Sequence, residues 1–82
     1  MPTEREDKLA RMEALKAFGE QAYDDLYEKA HSSSAATGYY SSAKEAFHDA
    51  IRIANELGLT EESAKLSARL AHIKAVFRSQ FT

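Results

Sequence analysis

Apolar positions recur along this chain at spacings of three and four, and the pattern is clearest between Gly38 and Leu57. Ala43, Ala46, Phe47, Ala50, Ile53, Ala54 and Leu57 fall on one stripe at about 100° per residue. Lys44, Glu45, His48, Asp49, Arg52, Asn55 and Glu56 occupy the flanks and the opposite face. The spacing predicts a helix over about residues 39–57. Most of its stripe is Ala, with Phe47, Ile53 and Leu57 the large members, so neighbouring backbones can come close and the helix is expected between two others. Leu57-Gly58-Leu59 predicts its end: Gly58 can turn left-handed past the last turn, and Leu59 can fold back on it.

A first helix is predicted over about residues 4–30. Thr3 and Glu6 have the spacing of a capping box, and acids in the first turn suit the positive end of the helix dipole. The expected buried stripe is Leu15, Phe18, Ala22 and Leu26, flanked by Met12, Gly19 and Ala30. Leu9 lies off that stripe, so the first two turns are expected to project beyond the bundle. Tyr23 and Tyr27, one turn apart, read as closing the rim of the core with ring inside and hydroxyl wet. The Ser-rich stretch 31–38 reads as a solvent-exposed connector, and its serines make it a candidate for phosphorylation.

Thr60-Glu61-Glu62 predicts the start of a third helix over about residues 60–80, with Thr60 as cap. Leu66, Leu70, Ile73, Phe77 and Phe81 form its apolar stripe. Opposite them, Ala64, Ala68, Ala71 and Ala75 recur at spacings of four, three and four. A solvated face is usually charged, so an Ala ridge there suggests contact on a second side; against this, Ala is simply a good helix former. This chain has no helix left to supply that contact, so a second chain would have to. Phe81 would also be better buried in a partner than frayed at a terminus.

Length and composition narrow the reading. Eighty-two residues allow one small domain of three helices around a single core, and without Cys the chain relies on packing, as suits a reducing cytoplasm. The charged start MPTEREDK is not expected to be a secretory signal, and no apolar run has the roughly 20 residues of a membrane span. A net charge of −2 argues against binding nucleic acid through its phosphates. Beyond Glu62 the charged residues Lys65, Arg69, Lys74 and Arg78 are all basic, but they are spread around the helix.

Gly38, Tyr40, Ala43, Phe47 and Ala50 reproduce the order of small and aromatic residues in the second helix of a tetratricopeptide repeat, which the stretch resembles. Leu70-Ala71 could stand where that family has Leu followed by a small residue. The closing Pro is missing, with Asn55 near its place, and His31 stands where a small residue belongs. One repeat and a half would fit, fewer than a stacked array uses. The same run is similar to the second helix of the microtubule-interacting and trafficking domain, a three-helix bundle. Both resemblances imply a protein-binding module, and neither transfers catalytic or ligand-binding residues.

Glu28-x-x-His31 and Glu45-x-x-His48 have the spacing that binds iron or manganese in ferritin-like bundles. Both pairs fall opposite the expected core, and a site would need further Glu residues from two more helices. His72, near the Ala ridge, reads as a surface residue or a polar contact in an oligomer. No nucleophile motif survives placement on helices, and three short helices leave little room for a substrate pocket. The expectation is an all-α, three-helix antiparallel bundle, or a tetratricopeptide-like hairpin plus one helix, with no cofactor and no enzymatic activity. Its expected role is a small interaction or regulatory module, a homodimer among its forms. The Ala ridge, or a cluster of Tyr23, Tyr27, Tyr39 and Tyr40, would meet the partner. The second reading is a metal-binding half-bundle completed by dimerisation through Glu28, His31, Glu45 and His48. A structural piece of a larger assembly is the third.

Overall fold

The computed structural model describes residues 3–80. Phe81 lies outside the described residues. Three helices follow one another: α1 (Glu4–Glu28), α2 (Ser33–Glu56) and α3 (Thr60–Gln80). No strand occurs among the described residues. Successive helices run antiparallel. Arg5 near the start of α1 donates to the Leu57 carbonyl at 3.2 Å, beyond the end of α2, and Tyr40 near the start of α2 stacks on Phe77 near the end of α3. Both α1 and α3 pack on α2.

Each helix end has a local cause. The Thr3 side chain accepts from the Glu6 N–H at 3.1 Å and starts α1. Of residues 31–38, only His31 and Ser32 belong to the connector that the serines suggest; residues 33–38 are already helical. Ser32 caps α2, its Oγ accepting from the Ala35 N–H at 3.2 Å, and the Thr37 hydroxyl donates to the Ser33 carbonyl at 2.9 Å. A polar residue that disfavours a helix interior thus starts one from the cap position, and Ala36 is buried in the first turns. Beyond α2, Leu59 N–H donates to Ala54 C=O at 2.8 Å and Gly58 N–H to Asn55 C=O at 3.1 Å. Gly58 has φ +72°. These two bonds with a left-handed Gly are the Schellman arrangement, and they turn the chain sharply into α3. Thr60 is the first residue of α3 rather than its cap; the preceding Leu59 carbonyl takes the Ser63 N–H.

The core is built on α2. Ala43, Ala50 and Ala54 are fully buried, with Ala36, Ala46, Phe47 and Ile53 nearly so. Met12 and Leu26 face them from α1, and Leu66, Leu70 and Ile73 from α3. Within the described residues the expected stripes of α2 and α3 are observed, with Leu57, Phe77 and Val76 partly buried at the margin. The expected stripe of α1 is corrected. Phe18 is 58% exposed, while Gly19 and Tyr23 are buried instead. A Cβ on Gly19 would lie 2.8 Å from a ring carbon of Phe47, so the missing side chain is what lets α1 reach that ring. Leu9 packs on the margin of the core, and the first turns of α1 lie along the end of α2 rather than projecting. There Lys8 pairs with Glu56 at 3.4 Å.

Gly19 and Gly38 therefore predict opposite outcomes for the same change. Gly19→Ala should gain about 1 kcal/mol of helix propensity and lose more to the clash with the buried Phe47 ring, for a net loss of about 1 kcal/mol. A Cβ on Gly38 would meet nothing within 4 Å, and its φ is not positive. Gly38→Ala should stabilise the protein by about 0.5–1 kcal/mol. Urea unfolding midpoints of the two variants should move in opposite directions; shifts of the same sign would contradict this packing.

Candidate interaction surface

A cleft separates α1 from α3, and each helix turns an outer face to solvent. Although α1 and α3 both pack on α2, charged side chains join them to each other across the cleft. Arg69 of α3 donates from two nitrogens to both carboxylate oxygens of Glu20 at 2.7 Å. Lys16 of α1 pairs with Glu62 of α3, and with Glu13 at 3.3 Å. Phe47 and Leu66 lie beneath. The cleft measures about 360 Å³ and is open to solvent, and a second depression of about 380 Å³ lies at the start of α3. The volume expected to be missing is thus present, as open troughs rather than enclosed pockets. Both partners of the Glu20–Arg69 pair are more than a third exposed, so solvent screening limits it to about 1 kcal/mol or less despite its two-pronged geometry. The hydrogen bond that Arg69 donates to Glu20, opposed by burial, raises the Arg69 pKa, and the bond to Glu62 raises that of Lys16.

The four tyrosines do not form a single surface. The buried Tyr23 meets Tyr27 edge to face, with ring centres 5.3 Å apart and hydroxyls at 3.5 Å. The Arg69 guanidinium lies 5.0 Å from the centre of the Tyr23 ring. Burial first, then the Tyr27 hydroxyl, pushes the Tyr23 phenol up to about 12. Tyr40 belongs to a different pair: its ring stacks on Phe77 at 4.0 Å, with planes 7° apart, and Lys44 lies over it. Tyr39 stands about 100° further round α2 and packs against the margin of the core. Tyr23 and Tyr40 thus serve mainly as helix-to-helix packing.

The Ala ridge is where the periodicity places it. Ala64, Ala68, Ala71 and Ala75 are all exposed on the side of α3 opposite Leu66, Leu70 and Ile73, with His72 exposed beside them. An equivalent feature on α1 escapes the sequence reading. Ala10, Ala14 and Ala17 are exposed opposite the core, at spacings of four and three, with Phe18 on their flank. Those spacings are visible in the sequence, but placing Phe18 inside turns the helix and hides the ridge. Glu28, His31, Glu45 and His48 are all exposed. Among the described residues no group of three or more His, Cys, Asp or Glu side chains could hold a metal ion. No described helix is long and apolar enough to cross a membrane.

No family model, curated protein or solved structure matches this chain. The functional reading therefore rests on the surfaces described above.

Proposed function

We propose that this chain is a small non-catalytic protein-interaction module that receives a helix of a partner chain on the outer face of α3. The observation that carries this reading is the exposure of Ala64, Ala68, Ala71 and Ala75 along one side of a 21-residue helix. No charged side chain interrupts that line, and its methyl-sized residues leave room for a second helix backbone to approach. The cleft supports the non-catalytic part. Of its charged groups, Lys16 with Glu62 and Glu20 with Arg69 are paired across it and hold α1 to α3, with Lys65 also on its lining. The resemblance of residues 38–50 to two families of protein-binding modules agrees with the reading.

Site-directed photocrosslinking in the source cells tests it. A photoreactive residue in place of Ala68 should yield covalent adducts with protein. The same residue in place of Glu45, exposed on α2, should yield none. Equal labelling from both positions, or no adduct from position 68, would overturn the proposal.

A further inference from the structure

We infer that the partner of the α3 face is the α1 face of a second copy of this chain, joined head to tail. The inference rests on the docking role proposed for α3 and adds what covers it. Two observations select the occupant.

The first is charge. α1 carries eight carboxylates against four basic side chains, whereas α3 carries two against four. Around the α1 ridge, Glu6, Asp7, Glu13, Asp24 and Glu28 are exposed, with Arg11 the basic residue at its edge. On α3, Glu61 and Arg78 border the two ends of the ridge, and Lys65 and Lys74 stand about a quarter-turn to either side of it, Lys65 also lining the cleft. Pairing α3 with its own copy would set bases against bases, and pairing α1 with its own copy would set acids against acids. Of the three pairings, α1 against α3 brings the most opposite charges together, because the net charges of the two helices differ in sign.

The second is shape. Phe18, 58% exposed, is the most exposed large apolar side chain of the described residues, and it sits on the flank of the α1 ridge. A face of small residues is one surface against which an aromatic ring can be buried, and the α3 ridge is such a face. The two ridges also share the four-three spacing: 10, 14, 17 on α1 and 64, 68, 71 on α3. The two ridges lie on different helices, each turned away from the core. One contact therefore leaves an unused α1 face at one end of the pair and an unused α3 face at the other. Such a heterologous contact continues into a ring or an open series rather than stopping at a closed dimer.

The experiment is a light-scattering concentration series on the full chain and on Ala14→Glu and Ala68→Glu. Both substitutions sit on exposed helix positions and use a good helix former, so unchanged circular dichroism is expected. The wild-type mass should rise with concentration, and less steeply at high salt, where the charge attraction is screened. Each variant alone should stay monomeric. Mixed equally, they should form a one-to-one dimer and nothing larger, because the intact α1 face of one meets the intact α3 face of the other. A wild type monomeric throughout would overturn the inference, as would an Ala14→Glu variant that still assembles or a mixture that stays monomeric. Failure here is distinct from failure of the docking role. A monomeric protein that still crosslinks a different protein from position 68 loses only the head-to-tail contact.

Discussion

Phe47→Ala should cost about 3–5 kcal/mol of folding stability, the largest effect of any single truncation in this chain. The ring is 1% exposed and heads the fully buried side chains by volume. It fills the gap left by Gly19 on α1, and it underlies the cleft beside Leu66 of α3. Its removal leaves a cavity at the meeting point of all three helices, lined by atoms that cannot close inward because Ala43 and Ala50 already hold the backbones near one another. A domain of this size has a total stability of roughly 4–12 kcal/mol at typical per-residue values. The variant should therefore be largely unfolded at moderate heat, and its urea midpoint should fall by roughly a quarter or more. Phe18→Ala is the internal control: the same truncation at a 58% exposed site should change stability by about 0.5 kcal/mol or less. Equal losses at the two sites would show that α1 is rotated from the orientation described.

That pair of phenylalanines also marks how far the sequence could be read. The stripes of α2 and α3 were legible because their large apolar residues fall at regular spacing and charged residues occupy the other side. α1 is less clear: Leu9, Met12, Leu15, Phe18, Tyr23 and Leu26 are spread over much of its circumference. Hydrophobicity alone then favours the larger Phe18 as buried, while the deciding feature is the absence of a side chain at Gly19. A glycine's close approach depends on which ring stands opposite, which the periodicity of its own helix does not contain. The start of α2 was hidden for a related reason. Ser disfavours helix interiors and favours caps, and residues 31–38 do not reveal which serine takes the cap.

The surface followed the core in this respect. The ridge of α3 could be read because its core stripe is unambiguous and the opposite face follows from it. The ridge of α1 could not, because placing Phe18 inside moves Ala10, Ala14 and Ala17 off the outer face. The ion pairs Glu20–Arg69 and Lys16–Glu62 join residues more than forty positions apart, and only the folded chain brings them together. They also carry a consequence for stability: α3 is held on one side by apolar packing on α2 and on the other by charges. The second of these contacts is more open to solvent and salt than the first.

Between pH 10 and 12 the protein should lose on the order of 2 kcal/mol of stability through Tyr23. Its phenol is pushed up to about 12, chiefly by burial and next by the Tyr27 hydroxyl, with Glu20 acting in the same direction and Arg69 against it. In the unfolded chain a tyrosine ionises near its model value of 10.0. Above that pH the unfolded state has lost a proton that folded Tyr23 retains, so the unfolded state binds fewer protons and stability falls as pH rises. Below pH 10 both states are protonated and the contribution is fully present; by about pH 12 it is gone. Lys16 acts with the same sign. Its pKa is raised by Glu62, so its share of stability is present below the unfolded value of 10.5 and is lost as pH climbs through the folded one. Urea unfolding at steps from pH 9 to 12 should therefore show a declining free energy. Tyr23→Phe should flatten the decline by nearly one proton's worth, because the ring that packs against Arg69 and Tyr27 remains while the ionisable hydroxyl is gone. A decline of unchanged slope in Tyr23→Phe would mean that the hydroxyl is not held from water as the fold requires. Glu62→Gln should remove the lysine's share in the same window and leave the tyrosine's intact, so the two contributions can be separated by their additivity.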